Sequence, residues 1–165
     1  MKNKMKRKGN GYKAMGVEKT VQENDLQLYN VVVMKTRKNQ EVDFNKIEEI
    51  GTNLRKRGIY RTAPIVIHKD CLKNSFELMF SVNRKIDIFA EEMIDFHDQI
   101  IFSKCRYYRF LSEEDSLASL SESIERMMGD GILFHDIFFM LIPIPNGKVI
   151  DVFVPIVEES ENEQV

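Results

Sequence analysis

The chain has no tryptophan, two cysteines, four prolines and eight glycines among its 165 residues. Cys71 and Cys105 are too few for a disulfide scaffold, and neither belongs to a C-x-x-C pair, so a reduced, cytoplasmic setting is the simplest expectation. No apolar run approaches the ~20 residues of a membrane span. The basic start, MKNKMKRKGNGYKAMG, lacks the apolar stretch that a secretory signal places behind it. No Asn-x-Ser/Thr sequon occurs. No phosphate-binding glycine loop occurs either, because Gly9 and Gly11 lie in a polar tail. A formal net charge of −2 argues against wholesale nucleic-acid binding. The charge is nonetheless uneven, with Lys2, Lys4, Lys6, Arg7, Lys8 and Lys13 at one end and Glu158, Glu159, Glu161 and Glu163 at the other. Solvated tails outweigh a binding arm as the reading of both.

A hydrophobic content of 43% can fill the core of one domain. The sequence divides into a basic tail over 1–27, a domain over 28–157 and an acidic tail over 158–165. Leu28–Arg37 reads as a strand whose Val31, Val32 and Val33 point to burial on both faces. Asp43 can cap a helix carrying Phe44, Ile47, Ile50 and Leu54 at helical spacing, with Gly58 as its stop. Gly51 either weakens this helix or permits its close approach to a sheet. Pro64–His68 and Phe76–Val82 read as two strands joined by a loop around 69–74. In the second, Phe76, Leu78, Phe80 and Val82 alternate with polar or smaller neighbours, as on a strand with one buried face.

Residues 84–99 fit neither period and read as a crossover with one or two helical turns. Ile100–Phe110 then reads as a long strand. Ser112 is placed to cap a helix with its stripe at Leu117, Leu120, Ile124 and Met127/Met128, ended by Gly129 and Gly131. The fold class is α+β, with two βαββ halves over 28–83 and 100–157. Val33 to Cys105, Gly58 to Gly131 and the two hairpin loops are offset by about 72, 73 and 74 residues, the pattern of an internal duplication.

The last hairpin, HDIFFMLIPIPNGKVIDVFVPIV, holds the plainest turn signal, Asn146-Gly147. With those two residues as the turn, Pro145 faces Lys148, and Ile137, Phe139, Leu141, Val152, Val154 and Ile156 share one apolar face for helices to cover. Asp136, Phe138, Met140, Asp151 and Phe153 share the other. Carboxylates among aromatic and thioether groups form an uneven surface suited to recognising a cation by charge and by ring quadrupole.

A duplicated βαββ unit ending in D-V-F-V-P-I resembles the GyrI-like (SOUL-type) family, which includes effector-binding domains of bacterial transcription activators and stand-alone proteins. Asp136-Ile137-Phe138 stands where the family has Glu-x-Tyr. Asp151-Val152-Phe153-Val154-Pro155-Ile156 stands where its last strand reads Thr-Glu-Leu-Tyr-Ile-Pro-Ile. Both expected Glu positions are Asp here and both expected Tyr positions are Phe. The resemblance implies an antiparallel sheet with two helices on one face and, on the other, a ligand cleft between the halves. In effector-binding members a buried carboxylate and aromatics hold bulky, often cationic, ligands.

The ligand-binding candidates are therefore Asp136, Phe138, Met140, Asp151, Phe153 and, for a pocket hydroxyl, Tyr108 (or Tyr107). The expected function is non-enzymatic binding of a hydrophobic or cationic small molecule. The alternative is an interaction protein that uses the same face, or a sheet edge, for a homodimer or partner. A hydrolase reading has pocket Glu and Tyr residues in its family analogy, and this chain replaces them. No cofactor, membrane contact or direct nucleic-acid binding is expected, and the 27 residues before the domain leave no room for a helix-turn-helix. Cys105 lies between Lys104 and Arg106, but strand alternation turns those cations away and no base is placed beside it. His97-Asp98 with Glu91, Glu92 and Asp95 matches no metal-ligand spacing. His68 and His135 stand at strand edges and read as structural.

Overall fold

The computed structural model describes residues 13–14, 21–36, 44–87, 94–112 and 117–158. Among the described residues, seven strands and two helices run in the order β1 (Lys13–Ala14), β2 (Gln22–Lys35), α1 (Phe44–Arg55), β3 (Ile65–Asp70), β4 (Ser75–Ser81), β5 (Ile94–Ser112), α2 (Ala118–Met128), β6 (Asp136–Ile144) and β7 (Gly147–Val154). All pairings are antiparallel, in the order β1-β5-β2-β4-β3-β6-β7, and β5 also pairs with β7. That last pairing, Arg106–Ser112 against Val154–Lys148, closes six strands into a barrel. The α+β class and the antiparallel sheet match the sequence reading. Closure is the new feature.

Closure explains why so many strand positions are apolar on both faces. Ile47 of α1 and Leu120, Ile124 and Met128 of α2 pack in one cluster with Val32, Ile67, Phe80, Phe139 and Val152. A six-stranded barrel is too narrow to hold a helix, so this cluster lies on the outer wall. Leu26, Leu28, Val31, Val33, Val66, Met79, Cys105, Phe138 and Phe153 form the second cluster, on the inner wall. β4 was expected to bury one face, yet Leu78, Met79, Phe80, Ser81 and Val82 are all buried, because the lumen lies behind the second face.

Several sequence boundaries move. β2 begins at Gln22, inside the stretch assigned to the tail, and pairs with β5 as far back as Tyr107. Residues 94–99, expected in a crossover, are strand; 88–93 lie outside the described residues, as do Arg37, Asp43 and most of both tails. Ser112 does not open α2: it ends β5, paired with Lys148, while α2 starts at Ala118 after Leu117 without a side-chain cap.

The C-terminus of α1 follows the sequence reading closely. Gly58 adopts φ 72°, Ile59 N–H donates to Leu54 O at 3.0 Å and Gly58 N–H to Arg55 O at 3.0 Å. These are the two bonds of a Schellman cap with glycine at C′. A Cβ built on Gly51 would meet nothing within 4 Å, so this glycine does not serve a close helix–sheet approach. The last hairpin pairs Ile144 with Gly147 and Pro143 with Lys148, so the turn residues are Pro145-Asn146, not Asn146-Gly147. Proline at i+1 and Asn146 at φ 66° are what a type II turn requires. The slip changes each partner by two residues, so both expected faces survive. No helix among the described residues is long and apolar enough to cross a membrane.

Candidate functional site

Five strands converge at one mouth of the barrel around a depression of about 340 Å³. Val33, Met79, Ile100, Phe102 and Phe138 make its floor; Lys35, His68, Glu77, Asp95, His97 and Asp136 make its rim. The floor is apolar because it is the end of the inner-wall cluster. The rim is charged because the same alternation carries each strand out of the packed lumen into solvent.

His68 organises the rim. Its Nδ1 lies 3.0 Å from Glu77 Oε2 and its Nε2 lies 2.7 Å from Asp136 Oδ1. Its ring stacks on Phe138 with centroids 4.5 Å apart and planes 11° from parallel. Phe102 packs on Phe138 in turn, at 5.0 Å. Burial alone would push the imidazole down, but its bonds to the Glu77 and Asp136 carboxylates outweigh it and hold the pKa above 6.5. The Glu77 carboxyl is held below its ordinary value chiefly by the bond to His68. Lys35 Nζ pairs with Asp95 at 3.0 Å, with both side chains about half exposed.

The expected site residues divide between the two ends of the lumen. Asp136 and Phe138 line the mouth. Met140 and Asp151 are directly paired, about 13 Å further along the strand at ~3.3 Å per residue. Phe138 and Phe153 fill the lumen between, only 1% and 5% exposed. The two aspartates therefore do not converge. Asp151 is buried and bound to Arg109, Nε to Oδ1 at 2.6 Å and Nη2 to Oδ2 at 2.8 Å. That fork spends both partners on each other and raises the Arg109 guanidinium. Tyr108 lies on the outer wall, its hydroxyl donating to Met128 Sδ at 3.4 Å. Tyr107 is the tyrosine on the inner wall: it packs on Phe153 at 5.3 Å, and burial and then the Asp151 carboxylate push its phenol up.

His68, expected at a strand edge, lies within β3. A four-residue turn over 71–74 sets Asp70 against Ser75, so His68 necessarily faces Glu77; that local signal was there to be used. Its second partner, Asp136, comes from β6 and is 68 residues away. Cys105 is fully buried; its thiol donates to Phe102 O at 3.5 Å and is pushed up by burial, the opposite of an activated nucleophile. Glu91 and Glu92 lie outside the described residues, and no cluster of three or more His, Cys, Asp or Glu placed to hold a metal occurs among those described. Compared with protein families and with curated proteins, the chain matches none.

Proposed function

We propose that the barrel mouth is a non-enzymatic binding site for a small hydrophobic or cationic molecule, in a domain of GyrI-like character. The supporting observation is the pairing of an apolar, partly aromatic floor with a rim of three carboxylates against Lys35 and His68. The depression, about 340 Å³, falls in the range of small-ligand pockets. His68 uses one oxygen of Glu77 and one of Asp136. Glu77 Oε1 and Asp136 Oδ2 are left by the imidazole for a ligand's positive end, while Phe102 offers ring surface beneath. The element order β2-α1-β3-β4 followed by β5-α2-β6-β7 supports the duplicated-unit reading, with the depression between the two halves.

Fluorescence titration with paired dyes, one neutral and one cationic on the same scaffold, tests this. Saturable binding should weaken about tenfold in Phe102→Ala for both dyes, and in Asp136→Asn for the cationic dye more than for the neutral one. Affinities unchanged in both variants would remove the proposal.

A second reading, a protein-interaction surface, draws on Tyr29 and Ile101, 51% and 42% exposed on the adjacent strands β2 and β5. Sedimentation across a concentration series separates the two. Self-association abolished by Tyr29→Ser with dye binding intact assigns the surface to a second copy of the chain.

A further inference from the structure

The second candidate pocket lies on the far side of the wall, where α1 ends. Gly51, Arg55, Tyr60 and Arg61 surround a hollow of about 220 Å³ whose floor is Ile59, Phe80 and Val82. It is built rigidly. The Schellman cap fixes the chain from Leu54 to Ile59. Asn83 then latches the next residue: its Oδ1 accepts from Tyr60 N–H at 3.0 Å, its N–H donates to Tyr60 O at 3.1 Å, and its Nδ2 donates to Gly58 O at 3.2 Å. Arg61 is bridged to Val82. Tyr60 is thereby held at the rim, 58% exposed above an apolar floor.

The charged residues that line this hollow are both cations. Arg55 and Arg61 line it, and Lys56, Arg57 and Arg84 flank it. No carboxylate among the described residues pairs with any of these five cations. Arg55 donates to Thr52 Oγ1 at 3.0 Å and Arg84 to Arg57 O at 2.8 Å, which orients two guanidinium groups without neutralising them. The helix end accounts for cations near Arg55–Arg57. It does not account for Arg61 or for the exposed tyrosine beside it.

Gly51 supplies the independent observation. A glycine inside a helix is destabilising relative to alanine, and this one makes no close approach that would require it, since a Cβ there meets open space. Gly51 is among the residues that line the hollow. At this position the helix contributes no side chain to the lining of the hollow.

We infer that this hollow is a binding site for a small flat molecule carrying a carboxylate or phosphate, its ring on the Ile59/Phe80/Val82 floor beside Tyr60 and its anion held by Arg55 and Arg61. Guanidinium forks match both head groups. The floor demands an apolar body and the unneutralised rim demands an anion, so neither half of the ligand suffices alone. The site is independent of the barrel mouth, from which β4 separates it by facing Phe80 and Val82 outward and Met79 inward.

Calorimetric titration of the whole chain with phenyl phosphate, benzoate, inorganic phosphate and benzyl alcohol decides the matter. Phenyl phosphate or benzoate should bind saturably, the tighter of the two naming the head group, with inorganic phosphate and benzyl alcohol each at least about tenfold weaker. Arg61→Ala, on an exposed loop position, should weaken the aromatic anion about tenfold. Gly51→Leu should raise the melting temperature and abolish binding. Inorganic phosphate binding as tightly as phenyl phosphate would reduce the site to a diffuse basic patch. No saturation by either aromatic anion at millimolar concentration, or affinity unchanged in Arg61→Ala, would overturn the inference.

Discussion

With each ring nitrogen against a carboxylate oxygen, His68 must carry both protons while Glu77 and Asp136 are ionised. Two titrations then shape stability. The folded pKa of His68 lies above 6.5, so its contribution is complete below that value and is lost as pH rises through the folded value. The folded pKa of Glu77 lies below 4.5, so its contribution is complete above that value and is lost as pH falls through the folded one. The clamp is fully formed between. Lys35, Asp70, Asp95 and His97 share the surroundings, so the assignment to His68 needs a variant. Urea midpoints should decline as pH rises from 6 to 9 in the wild type. His68→Asn should show a flat profile over the same range, and an equal decline in both proteins would place the titration elsewhere. Half of this clamp was legible: the tight turn after Asp70 fixes His68 opposite Glu77. Asp136 reaches it only through the pairing of β3 with β6, which no local spacing encodes.

At the scale of elements, hydrophobic period served well and end signals unevenly. Ile47, Ile50 and Leu54 of α1 and Leu120, Ile124 and Met128 of α2 pack where the sequence placed them, because burial against one wall selects them; Met127, one of two alternatives at the last position, proved the exposed one. Gly58 ended α1 as a glycine at C′ should. The Ser112 cap signal gave way, because pairing of Ser112 with Lys148 carries β5 to the cap position. In the last hairpin two turn signals overlapped. Asn146-Gly147 favours a primed turn and Pro145-Asn146 a type II turn, and only the second leaves Pro145 out of the ladder, where its missing N–H would go unused. Asn146 then holds φ 66°, a conformation open to glycine and to asparagine but costing other residues ~1 kcal/mol. Asn146→Gly should therefore leave the denaturation midpoint within error, while Asn146→Ala lowers stability by about 1 kcal/mol. Equal loss in both variants would mean that the side-chain amide, rather than the backbone angle, matters at this turn.

Across the whole molecule, the consequential pairing is the one that no local pattern announces. The triple valine in β2 signals burial on both faces, which an open sheet between two helical layers would satisfy equally. Here the second layer is the sheet itself, closed by β5 against β7. β5 carries this closure because it is long enough to pair with β2 over one part and with β7 over the other. Two residues in the ribbon it forms with β2 depart from strand geometry, Asn30 at φ 49° and Lys104 at φ 54°; the second falls where the register shifts between Asn24 and Leu26, and such a bulge lets a strand coil. Cys105 follows the second of these and faces the lumen, wholly buried. A closed barrel has no free edge from which to fray, so exposing this thiol requires strands to separate. Cys71, in the turn after β3, is only partly covered. At pH 8 a thiol reagent should modify Cys71 under native conditions at a rate insensitive to urea. Labelling of Cys105 should follow the population of the unfolded chain, accelerating with the urea dependence measured for global unfolding. Rapid, urea-independent labelling of Cys105 would instead mean that β5 leaves the barrel by itself. The wall between β2 and β7 would then open under native conditions, and the lumen would be accessible space rather than core.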